Sequence, residues 1–442
     1  MNTIDTIYAL SSGGLPSGVA VIRLSGPASR TAAEALVGSI PEPRIAALRS
    51  FRDSSGTLLD RGLVLHFPGP ASFTGEDCVE FHLHGGRATV AAVLTCLKAM
   101  EGLRQADAGE FSRRAFQNGK LDLTAAEGLS DLIAAQTEMQ RRLALEHAEG
   151  GVAALYADWT KRLTFARAMI EAELDFADED DVPGSVSETI WSDMRSLRHE
   201  LGDHTRLARA GEVVRDGLKV VIAGAPNVGK SSLINYLARR ELAIVTDVPG
   251  TTRDILTIDI DLDGYVVHFY DTAGLRETEE LVEIEGIRRA QKAMQDADLV
   301  LWVREAGSDK DSGEFVKELT VPVIAVRSKA DLADVNNVAD GSFAISTRSG
   351  QGVSELLDAI KGYLPDLAGH GGLAVPSRER HREELTSCLR SIDEALQKST
   401  AGGLEIAAEH LRQASLALGR LTGQVDIEAL LDVIFSEFCV GK

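Results

Sequence analysis

The run KVVIAGAPNVGKSSLINYLARR (residues 219–240) opens on a β-branched strand pattern, KVVIA, and closes on a helical one, SSLINYLARR. Between them, Gly224-Ala225-Pro226-Asn227-Val228-Gly229-Lys230-Ser231 matches G-x-x-x-x-G-K-[ST] in the strand-to-helix context where that motif works. Its glycines let backbone N–H groups approach phosphate oxygens, Lys230 reaches the β and γ oxygens, and the Ser231 hydroxyl suits magnesium. The nucleotide cradle therefore covers Asn227, Val228, Gly229, Lys230, Ser231 and Ser232.

Around this run the pattern is of short apolar strands alternating with helices. LTIDIDLDGYVVHFYD, ADLVLWV, VPVIAVRS and SFAIS follow, then the helix SELLDAIKGYL and a Gly/Pro linker, PDLAGHGGLAVPS. This predicts a doubly wound α/β domain over 217–369 with a mixed, mostly parallel sheet. Asp263-Gly264 between two alternating runs predicts a two-residue hairpin, hence one antiparallel strand.

Further out, residues 1–118 alternate IYALS, GVAVIRLSG and CVEFHLHGG with Ala-rich helical stretches, which predicts a small α+β domain. Helical periodicity governs 119–216, in LTAAEGLSDLIAAQTEMQRRLALEHAEGG and LYADWTKRLTFARAMIEAELDF, and it returns over 370–442. The expected architecture is multidomain α/β, with the phosphate-binding domain inserted into a helical bundle domain and preceded by the α+β domain. The acidic run Asp175 to Asp181 lacks the ligand pattern and turn glycine of a calcium loop and reads as a solvated loop.

The 442 residues carry 46 Lys+Arg against 67 Asp+Glu, a net charge of −21. No long nucleic-acid surface follows from such a balance, so any nucleic-acid role needs a local basic patch or a partner. Arg378, Arg380, His381 and Arg382 form a small basic cluster, but acids interleave with them and a solvated helix face is the plainer reading. Cys78, Cys96, Cys388 and Cys439 have no CxxC spacing, which points to neither a zinc site nor a disulfide framework. Without a bilayer-length apolar run, and with an acid in MNTIDTIYAL, a soluble cytoplasmic protein is expected and no membrane. Cys439 stands four residues from the end, but Gly441 and Lys442 are wrong for prenylation.

Three more segments complete the nucleotide site. Asp271-Thr272-Ala273-Gly274 ends a strand, where a carboxylate holds magnesium through water and a glycine N–H meets the γ-phosphate. The loop Thr246-Asp247-Val248-Pro249-Gly250-Thr251-Thr252 supplies hydroxyls for the metal, followed by Arg253 and Asp254. This order resembles the translation-factor-like branch of P-loop GTPases. Ser328-Lys329-Ala330-Asp331 then stands where that branch has Asn-Lys-x-Asp, so Asp331 is expected to select guanine, with Ser346-Thr347-Arg348 closing on the base. Ser328 for Asn, and Ser346-Thr347 for Ser-Ala, point to weaker guanine affinity. Leu275 occupies the position of the water-orienting Gln of small signalling GTPases and cannot orient water, so another base and another charge neutraliser are required. Asn227 with the Thr246 to Thr251 loop can cage a monovalent cation. Glu277, Glu279, Glu280, Glu283 and Glu285 all follow as candidate bases, and composition does not choose among them.

AVIRLSG, FTGEDCVEFHLHGG, GEFSRRAFQNGKLDL, GAPNVGKSSLIN, AIVTDVPGTTRD, DTAGLRET with VEIEGIRRA, and the terminal FCVGK together resemble the MnmE (TrmE) family of tRNA uridine-modifying GTPases over the whole chain. The resemblance implies a GTPase domain that dimerises around potassium, with Glu283 as the catalytic glutamate. Asn227, Thr246, Val248 and Thr251 fall at potassium positions, and Ser231 and Thr252 at magnesium positions. It implies that the amino-terminal domain is a constitutive homodimer binding a tetrahydrofolate one-carbon derivative (5,10-methylene- or 5-formyl-tetrahydrofolate) through Arg23, Glu80, Lys120 and Lys442. It also implies a functional role for Cys439, and modification of the tRNA wobble uridine at C5 jointly with MnmG, a FAD and NADH enzyme, in a heterotetramer. Arg23 and Lys120 are cations suited to pterin or glutamate-tail oxygens, and Glu80 can take a bidentate pterin pair. Glu80, His82 and His84 share one strand face and superficially resemble a metal triad, but no further ligand is evident. The rival reading is a ribosome-assembly switch of the Era or Der type, which needs an RNA-binding module after the GTPase domain; only amphipathic helices without a GXXG clamp follow there. A blander rival is a GTP-controlled scaffold with a decayed folate pocket, against which the intact Arg23, Glu80 and Lys120 stand.

Overall fold

In the computed structural model the described residues are 5–175, 186–240, 242–244, 257–271, 291–307, 319–332, 341–367, 372–398, 403–425, 428–436, 438 and 440–441. They fall into two compact units, one of residues 1–130, 148–165 and 412–442, the other of 131–147 and 166–411.

The first unit is built on six strands, β1 (Thr6–Leu10), β2 (Ser17–Ser25), β3 (Ala47–Arg52), β4 (Leu58–Phe67), β5 (Cys78–Gly85) and β6 (Leu103–Gln105), in the order β3-β4-β5-β2-β1-β6. Only the β1–β6 pair is parallel. Alternation along each strand separates the two faces. Ile22, Leu24, Val64, Phe81 and Leu83 are buried in one core cluster with Ala32, Ala33 and Leu36 of helix Ser29–Val37 and Val90, Val93 and Leu97 of helix Arg87–Lys98. Phe51 meets Phe81 edge to face at 5.1 Å, and burying each such ring contributes about 1.5–3 kcal/mol. Arg23, Glu80 and His82, at the intervening positions, lie on the opposite face. A second cluster joins Leu123 and Ala126 to Leu431, Ile434, Phe435 and Phe438. Gly441 closes against β1: the Ser11 hydroxyl donates to the Gly441 carbonyl at 2.7 Å, and a Cβ at Gly441 would lie 2.2 Å from the Leu10 carbonyl oxygen.

The second unit holds the expected mixed sheet, β7 (Leu218–Ala223), β8 (Thr257–Leu262), β9 (Tyr265–Asp271), β10 (Leu299–Glu305), β11 (Val323–Ser328) and β12 (Phe343–Ala344), in the order β12-β11-β10-β7-β9-β8. All neighbours are parallel except β8–β9, which turns at Asp263 and Gly264 with φ of 54° and 86°, the primed turn that Asp-Gly favours. Both faces of β7 are covered: Val220 and Ile222 join one cluster, Val221 and Ala223 another. That is why the strand reads as an unbroken apolar run. Helix Val353–Lys361 buries Val353, Leu356, Leu357 and Ile360, one stripe at helical spacing.

Helices Val186–Arg206 and Glu379–Lys398, which precede and follow the sheet in sequence, pack on one another, and Arg198 pairs with Asp393 at 2.9 Å. The α/β sheet is thus inserted between partnered helices, as the periodicity predicts. His147, His204 and His381 are all buried among these helices. Among the described residues no helix is long and apolar enough to cross a membrane.

Candidate functional site

The phosphate loop leaves the carboxyl end of β7, whose neighbours β9 and β10 lie on either side, the switch point where open α/β sheets bind ligands. Gly224 has φ 145°, and a Cβ there would stand 2.2 Å from the Val303 carbonyl oxygen, so the loop passes β10 too closely for any side chain. Asn227 (φ 64°) and Gly229 (φ 102°) turn the chain into helix Lys230–Ala238, with Gly229 as its N-cap. Free N–H groups and the positive end of the helix dipole then face the loop. Lys230 is buried and its ammonium donates to the carbonyls of Gly224 (2.9 Å) and Ala225 (2.8 Å), which folds the side chain back along the loop.

Two strands bring together the pair expected to bind magnesium. Ile222 on β7 is in register with Asp271 on β9, and the Ser231 hydroxyl donates to Asp271 Oδ2 at 2.8 Å. A hydroxyl and a fully buried carboxylate so placed are the hard oxygen donors that magnesium takes, so the residues fit that ion. Of the proposed potassium ligands Asn227 is exposed in its left-handed conformation, while Thr246, Val248 and Thr251 lie outside the described residues. The same holds for Asp247, Pro249, Gly250, Thr252, Thr272, Ala273, Gly274 and Glu283, and for Cys439 and Lys442.

The segments expected to recognise the base meet at the ends of β11 and β12. Ala330 N–H donates to the Ile345 carbonyl at 3.0 Å, and the Ser346 hydroxyl donates to Asp331 Oδ1 at 2.8 Å. Thr347 and Arg348 form the adjoining turn, with Arg348 exposed, as is Ser232 beside the phosphate loop. Lys329, at φ 57°, pairs with Glu305 at 3.0 Å. Ser328 is buried, and its hydroxyl donates to the Val228 carbonyl of the phosphate loop and lies 3.1 Å from that of Arg304. The serine thus ties the segment expected to select guanine to the phosphate loop, a contact invisible in the sequence because the two segments are a hundred positions apart.

In the first unit, Arg23 on β2 lies directly opposite Glu80 on β5, with Nε to Oε1 at 2.9 Å. Both side chains keep partial access to solvent, and the guanidinium sits 5.3 Å from the Phe73 ring centre and 5.7 Å from that of Phe111. His82 Nε2 is 3.4 Å from Glu80 Oε2, whereas His84 turns away to Asp60 at 2.8 Å. Lys120 follows helix Glu110–Gln117, its N–H bonded to the Ala115 carbonyl at 2.8 Å, and its stem borders Gly75 in the Phe73 loop. Cations, a carboxylate and aromatic faces on the side of the sheet that helix Glu110–Gln117 borders fit a polar heteroaromatic ligand with an anionic tail. Phe73 and Phe111 are not singled out by residue type in the sequence; their place inside FTGEDCVEF and GEFSRRAF is the signal that marks them. The basic cluster is largely spent internally: Arg378 pairs with Asp131 at 2.8 Å, Arg382 with Glu379 at 3.4 Å, and His381 is buried.

Comparison with known proteins adds the following. The family profile described as GTP-binding protein TrmE N-terminus matches residues 6–120, and that of the MnmE helical domain matches residues 123–439. A tRNA modification GTPase MnmE of Rhizobium meliloti (strain 1021) is 59% identical over 444 residues, covering 100% of both chains. The proteins of the same name from Sinorhizobium medicae (strain WSM419) and Rhizobium etli (strain CIAT 652) are 58% and 55% identical, covering 100% and 99% of both chains.

Proposed function

The chain belongs to the MnmE family of tRNA modification GTPases, and from that premise we propose a potassium-stimulated GTP hydrolase that acts with MnmG on C5 of the tRNA wobble uridine, using a tetrahydrofolate one-carbon unit. The observation that carries the hydrolase reading is the Ser231 to Asp271 contact beside the glycine-cradled loop of β7. We assign the folate-binding, homodimerising domain to residues 1–118, the helical domain to 119–216 and 370–442, and the GTPase domain to 217–369, in a cytoplasmic protein.

In the hydrolytic step, backbone N–H groups of the loop and the ammonium of Lys230 hold the triphosphate. Lys230 exchanges the carbonyls of Gly224 and Ala225 for phosphate oxygens. Ser231, Asp271 and Thr252 would hold magnesium, which would supply charge neutralisation for the phosphates. Asn227, Thr246, Val248 and Thr251 would hold potassium, which would supply positive charge where another GTPase uses an arginine finger. Water attacks the γ-phosphorus while its bond to the β–γ bridging oxygen breaks. Glu283 accepts the water's proton, because Leu275 cannot, and GDP and phosphate leave. Asp331 accepts the guanine N1–H and amine hydrogens. Arg23, Glu80, Lys120 and Lys442 orient the folate, and Cys439 is a further candidate for a functional role.

The test is GTP turnover in potassium against sodium chloride for the wild type and Glu283→Ala. Loss of a positioned base lowers turnover by roughly 10²–10⁴-fold while GDP affinity stays within about twofold. Unchanged turnover removes Glu283 from the mechanism, and equal rates in the two salts remove potassium.

A further inference from the structure

We propose that Glu76 and Arg114 are positioning residues for the amino-terminal ligand site, holding the two rings that fix the Arg23 guanidinium. The inference deepens the folate reading above and rests on it.

Arg23 stands between rings carried by unrelated segments. Phe73 belongs to the loop 68–77 between β4 and β5, and Phe111 to helix Glu110–Gln117. The sheet ladder does not register one against the other, so the separation of the rings depends on what ties loop to helix. Arg114 does so from one turn beyond Phe111: its Nη1 donates to both oxygens of Glu76, at 3.2 and 3.1 Å, and Glu76 lies three residues beyond Phe73. Asn118, one turn further along the chain, adds a bond from Nδ2 to the Thr74 carbonyl at 2.7 Å. Glu76 also accepts a bond from the Ser25 hydroxyl at 2.6 Å, which anchors the loop to β2 two residues past Arg23.

The far side of Arg114 is equally constrained. It donates to Asp5 Oδ1 at 2.8 Å and to Glu110 Oε1 at 3.0 Å, and Glu110 in turn takes Arg104 Nη1 at 2.8 Å. Burial disfavours the charged form of Arg114, yet Glu76 and Glu110 beside it hold its pKa above the ordinary arginine value. Burial likewise opposes the Glu110 carboxylate, and the bonds from Arg104, the Asp107 N–H and Arg114 more than offset it. Ion pairs buried this deeply add little stability over apolar residues of the same shape. What a fork of fixed guanidinium geometry does supply is one spacing between loop and helix, and therefore one placement of Arg23.

The experiment is calorimetric titration of the full chain with 5-formyl-tetrahydrofolate, for the wild type, Arg114→Lys, Glu76→Gln, Arg23→Lys and the double variant Arg23→Lys/Arg114→Lys, each verified folded by circular dichroism. Lysine keeps the charge of Arg114 but cannot span Glu76, Asp5 and Glu110 together, so the expected loss in affinity is about tenfold or more. Because the effect runs through Arg23, the same substitution in the Arg23→Lys background should cost less than about threefold, a non-additivity that a general loss of structure does not produce. If Arg114→Lys does not fold, Glu76→Gln, which keeps shape and hydrogen-bonding oxygen but not charge, decides alone with the same expected loss. Wild-type affinity in these variants overturns the positioning role and leaves the folate reading intact, as does full additivity with Arg23→Lys. A wild-type chain that binds no 5-formyl-tetrahydrofolate overturns both.

Discussion

Replacing His204 with glutamine should flatten the acid limb of the protein's stability curve. His204 lies near the end of helix Val186–Arg206, buried, with His147 and His381 in its electrostatic surroundings. Burial, followed by the charges of His381 and His147, pulls its pKa from 6.5 down to about 4. The folded chain therefore binds fewer protons here than the unfolded one, and stability must rise with pH across the interval. The contribution is complete above about pH 6.5 and is lost as pH falls towards 4. At pH 5 an unfolded histidine is almost wholly protonated and the folded one about a tenth so, which amounts to about 2 kcal/mol; below both values the loss reaches about 3 kcal/mol. Urea unfolding followed by tryptophan fluorescence suits the measurement, since Trp191 is buried on the same helix. Between pH 7.5 and 5 the wild type should lose about 2 kcal/mol more than His204→Gln. Carboxylates and the histidines that do not interact with His204 titrate alike in both proteins and cancel in the difference. Parallel curves for the two proteins would refute the argument, because they would mean that His204 takes up its proton without resistance in the folded helices.

Two substitutions probe the nucleotide site. Gly224→Ala forces a methyl group to within 2.2 Å of the Val303 carbonyl oxygen at φ 145°, so the loop must leave β10; GDP affinity by fluorescence titration should fall at least about a hundredfold, and retention of affinity would show that the loop has another workable path. Asp331→Asn presents an amide hydrogen where guanine offers donors of its own, so GDP should bind roughly a hundredfold more weakly while xanthosine diphosphate gains; an unchanged ratio of the two affinities would remove Asp331 from base selection.

Some parts of the molecule are legible in short stretches of sequence because their physics is local. The Asp263-Gly264 hairpin needs two positive φ angles, and Asp-Gly announces them. Gly224 to Ser231 is readable because backbone N–H groups, a lysine and a hydroxyl within eight residues suffice to define the chemistry. Alternation along β5 likewise puts Glu80 and His82 on one face. What escapes such reading depends on contacts between distant segments. Phe73 and Phe111 become partners of Arg23 only when loop and helix dock. Ser328 reads in the sequence only as a departure from Asn; that its hydroxyl donates to the Val228 carbonyl, a hundred positions away, emerges only on folding. Helical periodicity records that a face is buried and not what buries it. The docking of Leu431, Phe435 and Phe438 on Leu123 is therefore not written in either segment.

The seam between Ser11 and Gly441 joins positions 430 residues apart. A growing chain can fold the β2–β5 ladder early, from nearby segments, but it cannot close this edge until everything between has been synthesised. The GTPase sheet, whose strands all lie inside that interval, can be complete first. Until then the Leu123 cluster lacks its four distal partners, Leu431, Ile434, Phe435 and Phe438, and its apolar surface stays uncovered by them. The inserted sheet can thus be complete while the unit whose strands open the chain still lacks its last segment.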